Sequence, residues 1–382
     1  MARVVESAAS PGVSESPMDR LLDVIESSVS VGVRQLCCRE GTQARSFARG
    51  CENLKHLAQL TVGEELFRQI VESEGKAVLR ASDDGQLELD WSGADCHATT
   101  PKGDATTRMY ASADGVLVPT ITRKEKDKRR ETALKWRKET PRSKRGKLKR
   151  LPTVKHGTDQ RYKQVYVTIF YDQSQEHRLV GVTRKRVAGL KKLLKRDGER
   201  VGLLDARERQ GIIDGAVCLR SNLEEIPLQG AGGGISLDFY HFSGHVGEAA
   251  VATLGNKDSP PCKEWLGQVL HTVKHEGYEP FFQQLIEWRS GLRGHKRKAA
   301  DKLIGYVAPR QEMICYEQCR AKGLDIGSGP MESMCGVTTD RLKGRGRRWD
   351  LDNAESLMAL EALYQSTGLW DRHWKNAFAH QN

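Results

Sequence analysis

The chain has 382 residues and a formal net charge of +11, and hydrophobic residues make up 38% of it. A chain of this length is expected to fold as two or three domains. No apolar run approaches the ~18 residues of a membrane helix, and the N-terminus lacks a signal-peptide pattern. The nine cysteines are an odd number with irregular spacing, which favours reduced thiols. We therefore expect a cytoplasmic protein with no membrane partner.

The N-terminal part is predicted to be rich in helices. Residues 1–17 are rich in Ser, Ala and Pro and are expected to form a disordered tail. Helical periodicity covers two segments, Met18–Val31 and Thr42–Leu60. Thr61 and Glu64 form a capping-box pattern before a third helix. Residues 18–107 are interpreted as an α-rich region, with DNA-end binding and a simple packing role as the two alternatives.

Three segments rich in β-branched and aromatic residues follow and are predicted to be strands. They are Met109–Thr122, Gln164–Tyr171 and Arg178–Thr183. Asp114 and Gly115 lie inside the first of them. The segment Arg123–Arg150 separates the first two strands, so it is predicted to be a long insertion in a hairpin.

The segment Arg123–Arg150 holds the whole charge excess. It has 15 Lys or Arg and 4 Asp or Glu, a difference of +11, so the rest of the chain is neutral overall. Concentrated positive charge is typical of a protein that binds a polyanion such as DNA. The alternative is a solvated loop without a ligand. The predicted DNA contacts in this segment are Arg123, Lys124, Lys128, Arg129 and Arg130.

Short helices and strands alternate after the third strand. A helix begins at Val187–Leu194, a strand covers Gln210–Ile213, a helix covers Ala216–Leu223, and a strand covers Gly234–Leu237. Three adjacent strands, then helix, strand, helix, strand and helix, is the chain order of the ribonuclease H fold. We predict an α/β fold with a ribonuclease H-like core and a mixed sheet over residues 108–244.

The remaining sequence is predicted to be helical. The helical patterns between residues 245 and 323 cover Cys262–His275, Glu279–Ser290 and Lys296–Arg320. Because no strand pattern interrupts them, we predict an inserted all-helical domain. Residues 324–382 would then supply the helix of Glu332 and a C-terminal helix that begins near Asp352 and packs on the core.

Three carboxylates lie where such a core could bring them together. Asp114 is on the first strand, Asp214 follows the fourth, and Glu332 falls in the first turn of a helix that Pro330 begins. Clustered carboxylates repel one another unless they share divalent cations, and Mg²⁺ prefers oxygen ligands. Asp238, at the end of the fifth strand, competes with Asp214 for the position of the second catalytic carboxylate. The alternatives are Asp-Gly turns for the aspartates and a favourable helix-dipole position for the glutamate.

A second basic segment follows the helix of Glu332. Its predicted DNA-binding residues are Arg341, Lys343, Arg345, Arg347 and Arg348. A carboxylate able to hold a metal, followed by cations able to hold phosphates, suits chemistry on a nucleic-acid backbone. The alternative is a solvated basic helix end.

Five short motifs stand out together. They are Asp114-Gly, Asp214-Gly-Ala, Asp238-Phe-Tyr-His241, Gly-Ser-Gly-Pro-Met-Glu332-Ser and Arg-Leu-Lys-Gly-Arg-Gly-Arg-Arg-Trp349. As a set they resemble a bacterial insertion-sequence transposase of the DDE class, in the Mutator-like group of the Kra and Lre types. The resemblance runs from about residue 61 to 375 and is more specific than any single motif.

The resemblance implies cleavage and joining of transposon ends with two Mg²⁺ ions, or Mn²⁺ in their place. By that match Asp114, Asp214 and Glu332 are the catalytic and metal-binding residues. His241 has an accessory catalytic role in the family's Cys/Asp-x-x-His element, although Gly244 replaces the usual acidic residue there. The implied partner is double-stranded DNA, from transposon ends and target, bound by a homo-oligomer. A ribonuclease H-like nuclease without strand transfer and an inactive transposase-derived DNA-binding protein are the alternatives.

Overall fold

The computed structural model describes residues 29–144 and 157–379. The predicted tail 1–17, most of the predicted helix Met18–Val31, and residues 145–150 of the basic segment lie outside the described residues. Within the described ranges the chain has an α/β fold with an open, mixed sheet. No helix in those ranges is long and apolar enough to cross a membrane.

Six strands form the sheet. They are β1 (His97–Thr99), β2 (Ala105–Pro119), β3 (Tyr162–Asp172), β4 (Arg178–Thr183), β5 (Glu208–Ile213) and β6 (Ile235–Leu237). The strand order is β4-β3-β2-β5-β6, and β1 pairs with β2 outside this order. β3 and β4 are antiparallel, whereas β5 is parallel to both of its neighbours, β2 and β6. The predicted position of the fourth core strand beside the first is therefore confirmed.

The helices precede, connect and follow these strands. In chain order they are α1 (Val31–Gln43), α2 (Phe47–Leu57), α3 (Glu64–Asp83), α4 (Arg123–Glu139), α5 (Arg186–Arg200), α6 (Val217–Leu223), α7 (Phe239–Leu254), α8 (Pro260–His275), α9 (Tyr278–Ser290), α10 (Gly294–Val307), α11 (Tyr316–Lys322), α12 (Gly329–Asp340), α13 (Leu351–Gln365) and α14 (Leu369–Ala379).

The chain divides into two compact units, each built from segments that are not consecutive in sequence. The first unit comprises Met1–Glu88, Val116–Val165 and Gly336–Asn382, and the second comprises Leu89–Gly115 and Tyr166–Cys335. The domain ranges proposed from the sequence stay a prediction.

Helix packing forms the core of the first unit. α13 is buried along its whole middle section, from Ala354 to Leu363, and it packs along α3. Gly75 of α3 lies so close to Ser356 that an added Cβ would collide with the Ser356 carbonyl, which makes glycine necessary there. The predicted C-terminal helix exists, and it packs on α3 of the N-terminal region. Sequence periodicity identifies a buried face and gives no information about which partner covers it.

In the second unit, Arg108 anchors the segment that leads to α12. Its side chain is fully buried, and its guanidinium donates to the carbonyls of Gly323 at 2.6 Å and Lys322 at 2.9 Å. The hydroxyl of Tyr110 accepts a hydrogen bond from the N–H of Asp325 at 2.9 Å. Two side chains of β2 therefore hold the backbone just before the helix of Glu332.

Three predicted helices differ from the structure. The predicted helix Thr42–Leu60 is interrupted, because α1 ends at Gln43 and α2 begins only at Phe47. The predicted helix Lys296–Arg320 is broken, because α10 ends at Val307 and a 3₁₀ turn, Ala308–Met313, follows it. Pro309 in that turn lacks the N–H that a continuing α-helix needs. The predicted cap at Thr61 is also wrong, since α3 begins after Gly63 and no side chain caps it.

The described part of the basic segment is ordered as a helix. α4 spans Arg123–Glu139, and Thr122 and Glu125 form a complete capping box at its start. The Thr122 hydroxyl accepts from the N–H of Glu125 at 3.2 Å, and the Glu125 carboxylate accepts from the N–H of Thr122 at 2.9 Å. The reciprocal pair satisfies two backbone donors at the helix start, so this cationic segment has a defined surface.

Candidate active site

Three aspartates lie in register on neighbouring parallel strands, one inside β2 and the other two directly after β5 and β6. Gly211 of β5 pairs with Ala111 of β2 on one side and with Ile235 of β6 on the other. On each strand an aspartate follows three positions later. These residues are Asp114, Asp214 and Asp238. Because the register aligns their positions along parallel strands, all three are expected at the same level of the same sheet edge.

Glu332 reaches this edge through the start of α12. It lies in the first turn of the helix, and its side chain is exposed. The segment before the helix is attached to the end of β6, because Phe239 N–H donates to the carbonyl of Ile326 at 2.9 Å. The N–H of Ser328 donates to Oδ1 of Asp238 at 2.5 Å. As a result, Oε1 of Glu332 lies 3.9 Å from Nδ1 of His241.

Asp238 is fully buried and caps α7. Its Oδ2 accepts from the N–H of His241 at 2.8 Å and lies 2.9 Å from Nδ1 of the same residue. An ionised carboxylate only accepts, so Nδ1 is the donor in this contact. With Ser328 on Oδ1, N–H groups occupy three of its roughly four lone-pair positions. Asp238 therefore orients His241 and has little capacity left to bind a metal directly.

One set of possible metal ligands is tightly grouped within residues 29–144 and 157–379. Asp238, His241 and Glu332 each offer a ligand atom, and these atoms lie within 4.8 Å of one another. Asp114 and Asp214 are not members of this set. The structure therefore brings the predicted residues Glu332 and His241 together with the competing residue Asp238.

Electrostatics link Asp114 to the same place. Burial raises the pKa of its carboxyl, and the negative charge of Asp214 raises it further. Hydrogen bonds from the Gly115 N–H, at 2.5 Å, and from the Cys335 thiol, at 3.7 Å, act in the opposite direction, as does the charge of His241. The pKa of the partly buried Asp114 therefore depends on the charges of both Asp214 and His241.

The loop after β5 fixes Asp214. Its Oδ1 accepts from the N–H of Ala216 at 2.9 Å, and the side chain is partly exposed. Arg310 donates from Nε to the carbonyl of Gly215 at 3.1 Å, and Gly215 has a φ of +82°, which favours glycine. The hydroxyl of Tyr306 lies 3.5 Å from the carbonyl of Asp214. The α10 helix and the turn after it therefore support the backbone that carries this carboxylate.

His241 is more basic than an ordinary histidine. Burial alone would lower its pKa, but the hydrogen bond to Asp238 and the negative charges of Asp238, Asp214 and Glu332 outweigh burial and raise the pKa. The raised pKa is a direct result of concentrated negative charge. The carboxylate oxygens of this site are of the type that divalent cations such as Mg²⁺ prefer as ligands.

The predicted DNA-binding residues all lie in the first unit and differ in exposure. Arg123, Lys124, Lys128 and Arg129 are exposed on α4, and Arg130 is partly buried. After α12, Lys343 and Arg345 are exposed, whereas Arg347 and Arg348 are partly buried. These side chains form two groups of cations in that unit, one on α4 and one in the loop after α12.

Arg341 is an exception, and the prediction that it binds DNA is wrong. Its side chain is 8% exposed and donates to the carbonyls of Gly41 and Arg45, each at 3.2 Å. The guanidinium also lies over the rings of Phe47 and Trp349, at 4.9 and 5.0 Å from their centroids. Burial lowers the pKa of Arg341 to about 10. Arg341 therefore joins the helical core of its own unit and is not free to contact a phosphate.

Sequence reasoning missed two contributors to the site. Cys335 lies three residues after Glu332, so helical spacing alone could have placed it on the same face of α12. Arg310 had no local signal, because it acts on Gly215 from 95 residues away. A comparison with protein-family models and with curated proteins found no match to this chain.

Proposed function

We propose that this chain is a DDE transposase of the Mutator-like group, of the Kra and Lre types, which cleaves and joins insertion-sequence DNA ends with Mg²⁺. The observation that carries the proposal is the convergence of carboxylates from separate parts of the chain. Three aspartates lie in register, Asp114 inside β2 and the others after β5 and β6, and Glu332 approaches from α12 beside His241. Phosphoryl transfer on DNA can use such a cluster to hold divalent cations.

The sheet order supports a ribonuclease H-like core. The first three core strands, β2, β3 and β4, are neighbours in chain order, and β5 and β6 join on the other side of β2. This places the first and fourth core strands side by side, where the family's first two carboxylates are expected. The described residues between α7 and α12 form helices and no strand, which supports the inserted helical domain.

The donors present fit Mg²⁺. Asp114, Asp214 and Glu332 offer carboxylate oxygens, the ligands that this ion prefers. Asp114 has a raised pKa partly because of Asp214, so a bound cation would relieve the repulsion between them. When bound, Mg²⁺ would help activate the attacking oxygen and stabilise the leaving oxygen.

The other residues of the site would orient the reacting groups and donate a hydrogen bond to the substrate. Asp238 fixes the orientation of His241 through Nδ1, which leaves Nε2 to face the substrate. Its neighbours raise the pKa of His241, which favours protonation of the imidazole relative to an ordinary histidine, and a protonated Nε2 could donate to a phosphate oxygen. Arg310 and Tyr306 hold the Asp214 loop in place.

Duplex DNA is the proposed partner, with α4 and the residues after α12 binding its backbone. A homo-oligomer is the proposed assembly on DNA.

The test is an incubation of the full chain with Mg²⁺ and a labelled duplex that carries candidate element ends. We expect nicked products and then joined products, and neither in EDTA. Asp114→Asn and Glu332→Gln should abolish both products. Nicking without joining would favour the nuclease alternative. If neither product forms and the DNA is nevertheless bound, the inactive DNA-binding alternative replaces the proposal.

A further inference from the structure

The first unit contains a concave site that the carboxylate cluster does not explain. It is a cavity of about 450 Å³ between two kinds of wall. Leu117, Pro119 and Tyr162 form an apolar wall, and the loop from Lys343 to Arg348 forms a basic one. We call this site the loop cavity.

The backbone holds the basic wall in shape. The N–H of Trp349 donates to the carbonyl of Pro119 at 3.1 Å, and the indole Nε1 donates to the carbonyl of Leu342 at 3.1 Å. Arg347 donates to the carbonyl of Arg341 at 2.6 Å, and Gly346 adopts a φ of +75° at the turn. These contacts close the loop on itself and on β2, so the cavity is formed without a ligand.

The lining of the loop cavity combines charge with an exposed ring. Tyr162 is 52% exposed and Leu117 is 57% exposed, so both side chains are accessible to a ligand. The guanidinium of Arg348 lies 5.7 Å from the centroid of the Tyr162 ring. Lys343 and Arg345 add two exposed cations, and none of the described residues that line the cavity is a carboxylate. The ligand that matches this lining is flat and apolar at one end and anionic at the other.

We propose that the loop cavity binds one unpaired nucleotide of the DNA substrate, with its base stacked on Tyr162 and its phosphate held by Lys343, Arg345 and Arg348. The inference rests on the proposed function, because it specifies how the same DNA is held. A duplex backbone needs only the exposed cations. An exposed aromatic ring inside a basic cavity adds base stacking, which a base can use only after it leaves the duplex stack. The cavity volume lies within the ~300–1,000 Å³ range of small-ligand sites.

The experiment compares two duplexes that differ by a single unpaired 2-aminopurine nucleotide. Binding to the full chain is measured by fluorescence anisotropy in EDTA, so that no DNA is cleaved. We expect the wild type to bind the duplex with the unpaired nucleotide about tenfold more tightly and to quench its 2-aminopurine emission. Tyr162→Ala should remove both effects, whereas Tyr162→Phe should keep them because the ring is retained.

Two controls separate stacking from charge. Tyr364→Ala removes a matched tyrosine, whose ring lies 3.4 Å from the guanidinium of Arg39 and which does not line the cavity. This variant should retain the preference for the unpaired nucleotide. Arg345→Ala should weaken binding to both duplexes, because both present phosphates. Thermal melting of each variant checks that it folds.

The outcomes distinguish this inference from the proposed function. Equal binding of both duplexes by the wild type would overturn the inference, as would a preference that survives in Tyr162→Ala. If Mg²⁺-dependent cleavage and joining nevertheless occur, the proposed function stands without this subsite. If the preference depends on Tyr162 but no cleavage or joining occurs with Mg²⁺, the subsite stands and the proposed function fails.

Discussion

Nδ1 of His241 lies 2.9 Å from Oδ2 of the buried Asp238. The same nitrogen lies 3.9 Å from Oε1 of Glu332, so one imidazole faces two carboxylates from different parts of the chain. The arrangement explains why the pKa of His241 is raised despite partial burial. It also gives Asp238 a positioning role that differs from the roles of Asp114 and Asp214.

Asp238→Asn should lower the pKa of His241. The folded-state pKa lies above the ordinary value of 6.5, so this interaction stabilises the fold fully below that value. The stabilisation is lost as the pH rises through the folded-state pKa. NMR titration of the imidazole in EDTA measures the change, and His373, whose pKa burial lowers, is an internal control that should not move. An unchanged His241 titration would remove Asp238 as the cause.

Asp238→Asn should also destabilise the protein more than Asp214→Asn does. The amide group of Asn would face the N–H donors that now bind the Asp238 carboxylate, at a cost of about 1–3 kcal/mol in the free energy of unfolding. Asp214 is partly exposed, and its negative charge repels that of Asp114. Neutralising Asp214 should therefore change the free energy of unfolding by less than about 0.5 kcal/mol. Urea denaturation of metal-free protein compares the two variants. Equal losses would show that the two aspartates have the same structural role.

Glu332→Gln should abolish DNA cleavage and leave DNA binding nearly intact. Gln keeps the shape of the side chain but loses the charge that would hold Mg²⁺ at the reacting phosphate. A cleavage assay and a binding assay on the same DNA separate the two effects. Glu264→Gln on α8 is the matched control at an exposed position and should change neither. Cleavage by Glu332→Gln at the wild-type rate would leave the residue with only a structural role.

Neutralising the exposed cations of α4 should reduce the salt dependence of DNA binding. The combined variant replaces Arg123, Lys124, Lys128 and Arg129 with Gln. If all four contact phosphates, the slope of log K against log salt should fall by about 3–4, because fewer counterions are released. A control variant removes the same charge at four exposed lysines elsewhere, Lys55, Lys76, Lys102 and Lys257. Equal slopes in the two variants would show only an effect of net charge.

Arg341→Ala should destabilise the first unit and Lys343→Ala should not. Loss of the Arg341 guanidinium leaves the carbonyls of Gly41 and Arg45 without their donor, at a cost of about 2–4 kcal/mol. Lys343 is exposed, so its removal should cost less than about 0.5 kcal/mol but weaken DNA binding. Thermal melting with a DNA-binding assay measures both. A stable Arg341→Ala protein that binds DNA poorly would restore the DNA-contact interpretation.

Local sequence patterns were sufficient to predict the strands and the helix that carry the residues of the site. Runs of β-branched residues located β2 through β6, and the predicted strand Arg178–Thr183 agrees with the structure at both ends. The position of Glu332 in the first turn of its helix is also confirmed. These features depend on propensities and end signals within a few residues, which the sequence displays directly.

Tertiary structure decided which of these residues are available for chemistry. Asp238 and Asp214 look alike in sequence, yet the Asp238 carboxylate accepts hydrogen bonds from His241 and Ser328. The Asp214 carboxylate accepts from the local Ala216 N–H. Arg341 belongs to a basic motif, yet helix packing buries it. Burial and hydrogen-bond partners depend on segments far apart in the chain, so the periodicity and composition of a local segment carry no information about them.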